Sequence, residues 1–173
     1  MLDLHSHPHL GDKASSLPSI SWVPWHPRYL LRSFDEKSVP SPSDDRHIAV
    51  RSNAGIRFAL APGEQLFIPE GSDATGFQEA AGPDVFFIDV SSAQLVLRVE
   101  GDRARQLLAS GCGLDLRPAR FAVNQFAQTR LGPFAVLIHR SSDNTYEVHV
   151  ERSLGESLRA WLDSSASSLT GKP

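Results

Sequence analysis

Three kinds of side chain in this 173-residue sequence could do chemistry: a single thiol, seven imidazoles, and a few carboxylates set beside apolar runs. The thiol is Cys112, in Ser110-Gly111-Cys112-Gly113-Leu114-Asp115-Leu116-Arg117-Pro118. A reactive thiolate needs a cation, a basic partner or a helix N-terminus to lower its pKa. Cys112 instead follows a short helical pattern, at the end where the helix dipole disfavours an anion. It therefore reads as a small buried residue in a tight turn. Gly111 and Gly113 are expected to permit the chain reversal, and Leu114 and Leu116 to key the turn to the core. One cysteine also supplies neither an internal disulfide nor a sulfur-rich metal site.

His5, His7 and His9 alternate in a way that can chelate a metal ion. Nothing around them fixes ring orientation, which a working zinc site requires. His139 falls in the run Phe134-Ala135-Val136-Leu137-Ile138-His139-Arg140 and reads as a satisfied core or edge residue. His149, between Glu147 and Glu151, is expected to project into solvent. Asp89-Val90-Ser91-Ser92 reads as a turn in which an aspartate accepts from backbone amides, and Asp115 has no partner set by spacing. Glycine-rich phosphate loops and the nucleophile elbow are both missing from the pattern. No catalytic, cofactor-binding or metal-ligating residue is assigned to this chain.

The elements that carry these residues follow from apolar periodicity. Ile56–Leu60 and Gln65–Ile68 flank Ala61-Pro62-Gly63-Glu64, two strands joined by a turn. Val85–Ile88 has strand length, and Gly71–Pro83 has room for two or three helical turns around Phe77. In Gln94–Glu100, Leu95, Leu97 and Val99 share one face while Val96 and Arg98 lie opposite. Asp102 is placed to cap a helix bearing Ala104, Leu107 and Leu108, which ends at Gly111. Ala127–Leu131 and Phe134–Arg140 are strands around Gly132-Pro133. In the strand Tyr146–Glu151, Tyr146, Val148 and Val150 point inward. A capping-box pattern, Ser153-Leu154-Gly155-Glu156, opens a last helix with Leu154, Leu158, Trp161 and Leu162 on one stripe. This order predicts an α+β fold: a mainly antiparallel sheet with helices packed on one face.

Residues 1–46 hold six prolines (Pro8, Pro18, Pro24, Pro27, Pro40, Pro42) and no sustained apolar period. Such a segment is expected to form an extended arm. Its aromatic cluster, Ser21-Trp22-Val23-Pro24-Trp25-His26-Pro27-Arg28-Tyr29-Leu30-Leu31-Arg32-Ser33-Phe34, suggests an anchor that folds against this domain or against another chain. Residues 47–165 form the single domain and 166–173 a flexible tail. The formal net charge of −3 gives no electrostatic reason to bind nucleic acid or an anionic membrane. Between Gly101 and Arg140, however, six arginines face two acids, which reads as a solvated face or as a docking surface for an acidic partner. Neither a signal peptide nor a membrane-length apolar run is visible, and one cysteine suits a reducing cytosol.

From Ile56 to Asp163 the sequence resembles the gamma subunit of heterotetrameric sarcosine oxidase. The resemblance rests on Gly101, Leu107-Leu108, Gly111-Cys112, Leu114-Asp115-Leu116, Pro118, Gln128-Thr129, Arg152-Ser153 and Trp161, in that order. It implies a fold related to the folate-binding aminomethyltransferase domain of the glycine cleavage system, and a non-catalytic, scaffolding role. It also implies alpha, beta and delta partner subunits carrying NAD and tetrahydrofolate, the flavins FAD and FMN, and zinc, respectively. The implied reaction is oxidative demethylation of sarcosine or a related N-methyl amine. A free-standing folate-binding or iron–sulfur-maintenance protein of the same superfamily is the alternative. Those proteins carry Lys-Gly-Cys continuing into Gly-Gln, where this chain has Ser110-Gly111-Cys112 continuing into Gly113-Leu114.

Overall fold

The computed structural model describes residues 17–71 and 83–169. The histidines His5, His7 and His9 and the helical turns expected around Phe77 lie outside these residues. Among the described residues ten strands form two antiparallel sheets. The first, ordered β1-β7-β10-β9-β8, comprises Ser19–Trp22 (β1), Gln94–Glu100 (β7), Thr145–Glu151 (β10), Phe134–Ser142 (β9) and Phe126–Leu131 (β8). The second, ordered β3-β4-β5-β2-β6, comprises Val50–Ser52 (β3), Gly55–Ala61 (β4), Glu64–Pro69 (β5), Tyr29–Arg32 (β2) and Phe86–Asp89 (β6). Helices α1 (Ala104–Ala109) and α2 (Gly155–Ser168) contribute to the core on the first sheet. The predicted helices-on-one-face α+β architecture is present, with a second sheet stacked on the other face.

Three apolar clusters follow from this layering. Leu97, Val99, Ile138, Val148 and Val150 meet Leu107 and Leu108 of α1 and Leu158 and Leu162 of α2 in the main core. Full burial of such side chains is worth about 1.5–3 kcal/mol each. Phe58, Ile56 and Leu66 of the second sheet meet Phe126 and Leu137 of the first. On the outer face of the second sheet Leu31 and Phe67 pack with Val39, which the loop after β2 folds back over them.

From Leu17 onward the expected arm is part of this body. β1 pairs with β7, Ser19 opposite Glu100 through Trp22 opposite Leu97. β2 inserts between β5 and β6. Trp22 packs on the main core and Tyr29 and Leu31 in the outer cluster, so that part of the aromatic anchor closes on its own domain, while Trp25 and Phe34 stay exposed. Extended backbone with donors in register satisfies itself in a sheet without any apolar period of its own. At the other end α2 runs to Ser168 with Ala166 buried, so the expected tail begins inside a helix.

Neither predicted helix cap forms. Asp102 accepts from the Asn144 side-chain amide at 3.0 Å, and Arg103 precedes α1 without a side-chain cap. Ser153 lies in a 3-10 turn, Arg152–Leu154, and donates to Glu151. Gly155 then starts α2 close to the sheet; a Cβ there would lie 2.6 Å from Leu95 Cδ1 and 3.2 Å from the Trp22 ring.

The turn after α1 is held by Trp161. The Gly132 amide donates to the Gly111 carbonyl at 2.8 Å, and the Trp161 ring lies across both glycines. A Cβ on Gly111 would stand 2.2 Å from Trp161 Cη2. Gly111 is therefore required by close approach, since its φ is not in the left-handed region, and Gly113 has open space around it. The expected chain-reversal role for these two glycines is replaced by a docking role for Gly111 alone. Gly111→Ala should destabilise the chain by about 1–3 kcal/mol, read by urea unfolding. Combining it with Trp161→Leu should recover part of that loss, because the clash partner is gone.

Candidate functional site

The candidate site is a polar layer between the two sheets, closed over His139 and His149 and reached by solvent at Arg98 and Glu147. Register places it: on the face of the first sheet away from the helices, Arg98 of β7 lies opposite Glu147 of β10, which lies opposite His139 of β9, which lies opposite Phe126 of β8. In the neighbouring row Val96, His149 and Leu137 are side by side. The second sheet covers them with Phe58, whose ring stands edge-on to His139 at 5.2 Å, His149 at 5.6 Å and Phe126 at 5.1 Å between centroids.

His149 is thus not solvated, as its neighbours in sequence suggested, but 2% exposed. It does alternate away from the helix side, yet that direction leads into the second sheet. Burial pushes its pKa down to about 3; Glu147 opposes that shift, while Arg28 and His139 add to it. Glu147 is held at about 2, chiefly by His139, whose Nδ1 stands 3.6 Å away, and by Arg98, which donates at 3.0 Å. At neutral pH the layer therefore contains an ionised carboxylate bound to a guanidinium, beside a neutral His149 imidazole. His139, expected as a satisfied core or edge residue, is buried, but its ring nitrogens make only the long Glu147 approach among the described residues.

Arg28 joins the layer from the other sheet, at the entry to β2. Its amide donates to Ser91 Oγ at 2.9 Å, and Ser91 Oγ donates to Asp89 Oδ1 at 2.5 Å. Asp89 also accepts from the Ser91 amide at 2.8 Å, the turn geometry its sequence predicts, and these bonds lower its pKa. Burial lowers the Arg28 pKa, with Glu147 opposing. A cavity of about 190 Å³ opens beside Arg28, Arg98 and His149.

The other candidates resolve into structure. Cys112 is buried in the main core, with its Sγ 3.4 Å from the Leu114 amide that donates to it and 3.8 Å from Thr129 Oγ1. Leu116 is buried and Leu114 packs against the same core, as expected. Asp115 does have a partner, Arg117, which donates at 2.6 Å and holds its pKa at about 2. The arginine face is not one surface: Arg140 is buried, donating to the Phe121 and Asp143 carbonyls at 2.8 Å. Arg103 and Arg130 bond the carbonyls of Leu169 and Pro133. Among the described residues no three His, Cys, Asp or Glu side chains are grouped to hold a metal ion, and no helix is long and apolar enough to cross a membrane.

This architecture has counterparts. The family model described as sarcosine oxidase, gamma subunit family, matches residues 48–168. The chain belongs to that family. Curated gamma subunits of sarcosine oxidase from Arthrobacter sp and from Corynebacterium sp. (strain P-1) are 35% and 31% identical, over 60% and 66% of this chain. The alignments take in 52% and 58% of those proteins, so the chain spans about half the length of the curated relatives it matches. A chain of the heterotetrameric sarcosine oxidase from Corynebacterium sp. U-96, solved with pyrrole 2-carboxylate, superposes with a TM-score of 0.79 at 23% identity. It covers 90% of this chain and 87% of its own. The glycine cleavage system aminomethyltransferase T from Bartonella henselae shares the fold at a TM-score of 0.60 and 15% identity, over 87% of this chain and 47% of its own. The gamma-subunit family span contains Arg98, His139, Glu147 and His149 but stops short of β1, β2 and Arg28.

The pKa values fix how stability should depend on pH. The unfolded His149 takes up a proton near pH 6.5 and the folded one only near 3. Stability from its neutral burial is therefore full above about pH 6.5 and falls as the pH drops toward 3. Glu147, depressed from 4.5 to about 2, adds a loss in the same direction below about pH 4.5. Going from pH 7 to pH 5 should cost about 2 kcal/mol from His149 alone. His149→Gln should flatten that part of the profile in chemical unfolding. Cys112→Ala should cost about 1 kcal/mol without changing the profile, measured the same way.

Proposed function

We propose that this chain is the non-catalytic gamma subunit of a heterotetrameric sarcosine oxidase-type flavoenzyme and stabilises the assembly. The observation that carries the reading is the joint match: the family span over residues 48–168, and a fold that follows a chain of the Corynebacterium heterotetramer along 90% of its length. The partners are alpha, beta and delta subunits, with FAD, FMN, NAD, tetrahydrofolate and zinc carried by them. The complex oxidatively demethylates sarcosine or a related N-methyl amine, giving glycine or the demethylated amine, hydrogen peroxide, and formaldehyde or methylenetetrahydrofolate. The lone thiol, buried rather than bridged, suits a cytoplasmic setting.

Two structural features support a subunit role. On the inner face of the first sheet Arg98 and Glu147 pair with one another and Phe58 packs edge-on against both imidazoles, which fits packing and orientation of the sheets. Phe34, 95% exposed, stacks edge-on against the exposed Phe86 at 6.0 Å, and Ile88 is exposed farther along the same strand. Strand β6 is an edge of the second sheet as described, and an apolar patch at a sheet edge is a surface that subunit assembly covers.

The test is purification of the tagged chain from its native cell, with mass determination of what accompanies it, alongside oxygen-uptake assays on the chain alone. Larger flavin-containing subunits should co-purify, and the lone chain should oxidise no sarcosine. Flavin bound to the isolated chain, turnover by it, or a native chain free of any oxidase would overturn the reading.

A further inference from the structure

Arg28 is not explained by a scaffolding role. It is 3% exposed, and among the described residues no carboxylate lies within 4 Å of its guanidinium. Nη1 donates to the His26 carbonyl at 3.2 Å, and Nε has no partner. The two other arginines lining the same cavity are matched, Arg51 with Glu70 at 3.3 Å and Arg98 with Glu147 at 3.0 Å. The cavity thus holds one positive charge in excess. A buried charge left unpaired is costly, and a counter-charge with matching hydrogen bonds relieves it.

The remaining lining specifies what that counter-charge should be. His149 borders the cavity with both ring nitrogens unpartnered, so a neutral imidazole can donate one N–H to an incoming oxygen. Val23, Ile56, Ile68 and Val96 form an apolar wall. The volume, about 190 Å³, suits a body of a few carbon atoms. A single excess charge matches a monoanion; a phosphate dianion would leave negative charge beside Glu70 and Glu147. Planar guanidinium donors suit a carboxylate geometrically. The Arg28 backbone is also held in place before any ligand arrives, by its amide bond to Ser91, which Asp89 in turn fixes, and this reduces the ordering cost of binding.

We infer that the cavity between the two sheets is a binding site for a small organic carboxylate with a compact apolar body, gripped by Arg28 and His149. The inference does not depend on assembly into an oxidase. It is tested on the full chain by following the arginine Nε–H and imidazole nitrogen resonances in NMR while titrating isobutyrate, its uncharged analogue isobutyramide, and sulfate. Isobutyrate should shift the Arg28 and His149 signals saturably with a Kd on the order of 1 mM or tighter. Isobutyramide and sulfate should bind at least about tenfold more weakly, a difference of about 1.4 kcal/mol. Arg28→Gln should weaken isobutyrate binding by at least the same factor, and Arg28→Lys by less, since a charge without the planar fork remains. Equal responses to the acid and its amide in the unaltered chain, or no saturable shift of Arg28, would overturn the site without any variant having to fold. Tighter binding of sulfate than of isobutyrate would overturn the carboxylate assignment.

Discussion

The first sheet is covered on both faces, by helices on one side and by a second sheet on the other, and this double burial governs the interior. Every second residue of β10 serves one cover or the other. Tyr146, Val148 and Val150 complete the apolar core under α1 and α2, while Glu147 and His149 are forced into the layer between sheets. A carboxylate cannot sit there alone, so its cross-strand neighbours on either side are Arg98 and His139. Phe58 then packs edge-on against both imidazoles. The pKa displacements of His149 and Glu147 are consequences of this arrangement: the same burial that closes the sandwich favours neutral imidazole, and the neighbours that compensate it favour ionised carboxylate.

The segment from Leu17 to Arg32 ties the two sheets together. It leaves one strand on the edge of the first sheet and the next inside the second, so its irregular middle must cross between them. Arg28 stands at the end of that crossing, which brings a guanidinium into an interior otherwise built by later strands. The position is fixed by the turn that closes β6, through Asp89 and Ser91. A short, proline-rich piece of chain thereby performs a structural clamp and also supplies, among the described residues, an interior charge without a carboxylate within 4 Å. The family span begins only at residue 48, so this feature belongs to the part of the chain outside it.

The Gly-Cys turn has a different physical basis. Trp161 lies on the backbone of Gly111 and Gly132, joining the end of α1, the β8–β9 turn and the final helix at one contact. Cys112 fills the adjacent core, and its Sγ accepts from the Leu114 amide rather than standing ready for chemistry. The features by which the sequence resembles its family, Gly111-Cys112, Leu114-Asp115-Leu116 and Trp161, are thus largely one packing unit seen at separated positions in the chain.

Local patterns in the sequence were enough to establish the strands from Ile56 onward, the apolar stripes of both helices, the Asp89 turn and the buried setting of Cys112. Each depends on neighbours within a few residues, where side-chain periodicity and turn chemistry act directly. The tertiary structure alone decided three things: that a second sheet covers Glu147 and His149, that Ser19–Trp22 and Tyr29–Arg32 are strands, and that Arg28 is interior. Alternation in a strand specifies two faces but not what lies against them, and a strand whose register is set by partners distant in sequence carries no period of its own. The same limit applies to the helix caps. Asp102 has the right local chemistry, but Asn144, brought near by the fold, donates to its side chain instead; Ser153 donates to Glu151, two residues before it.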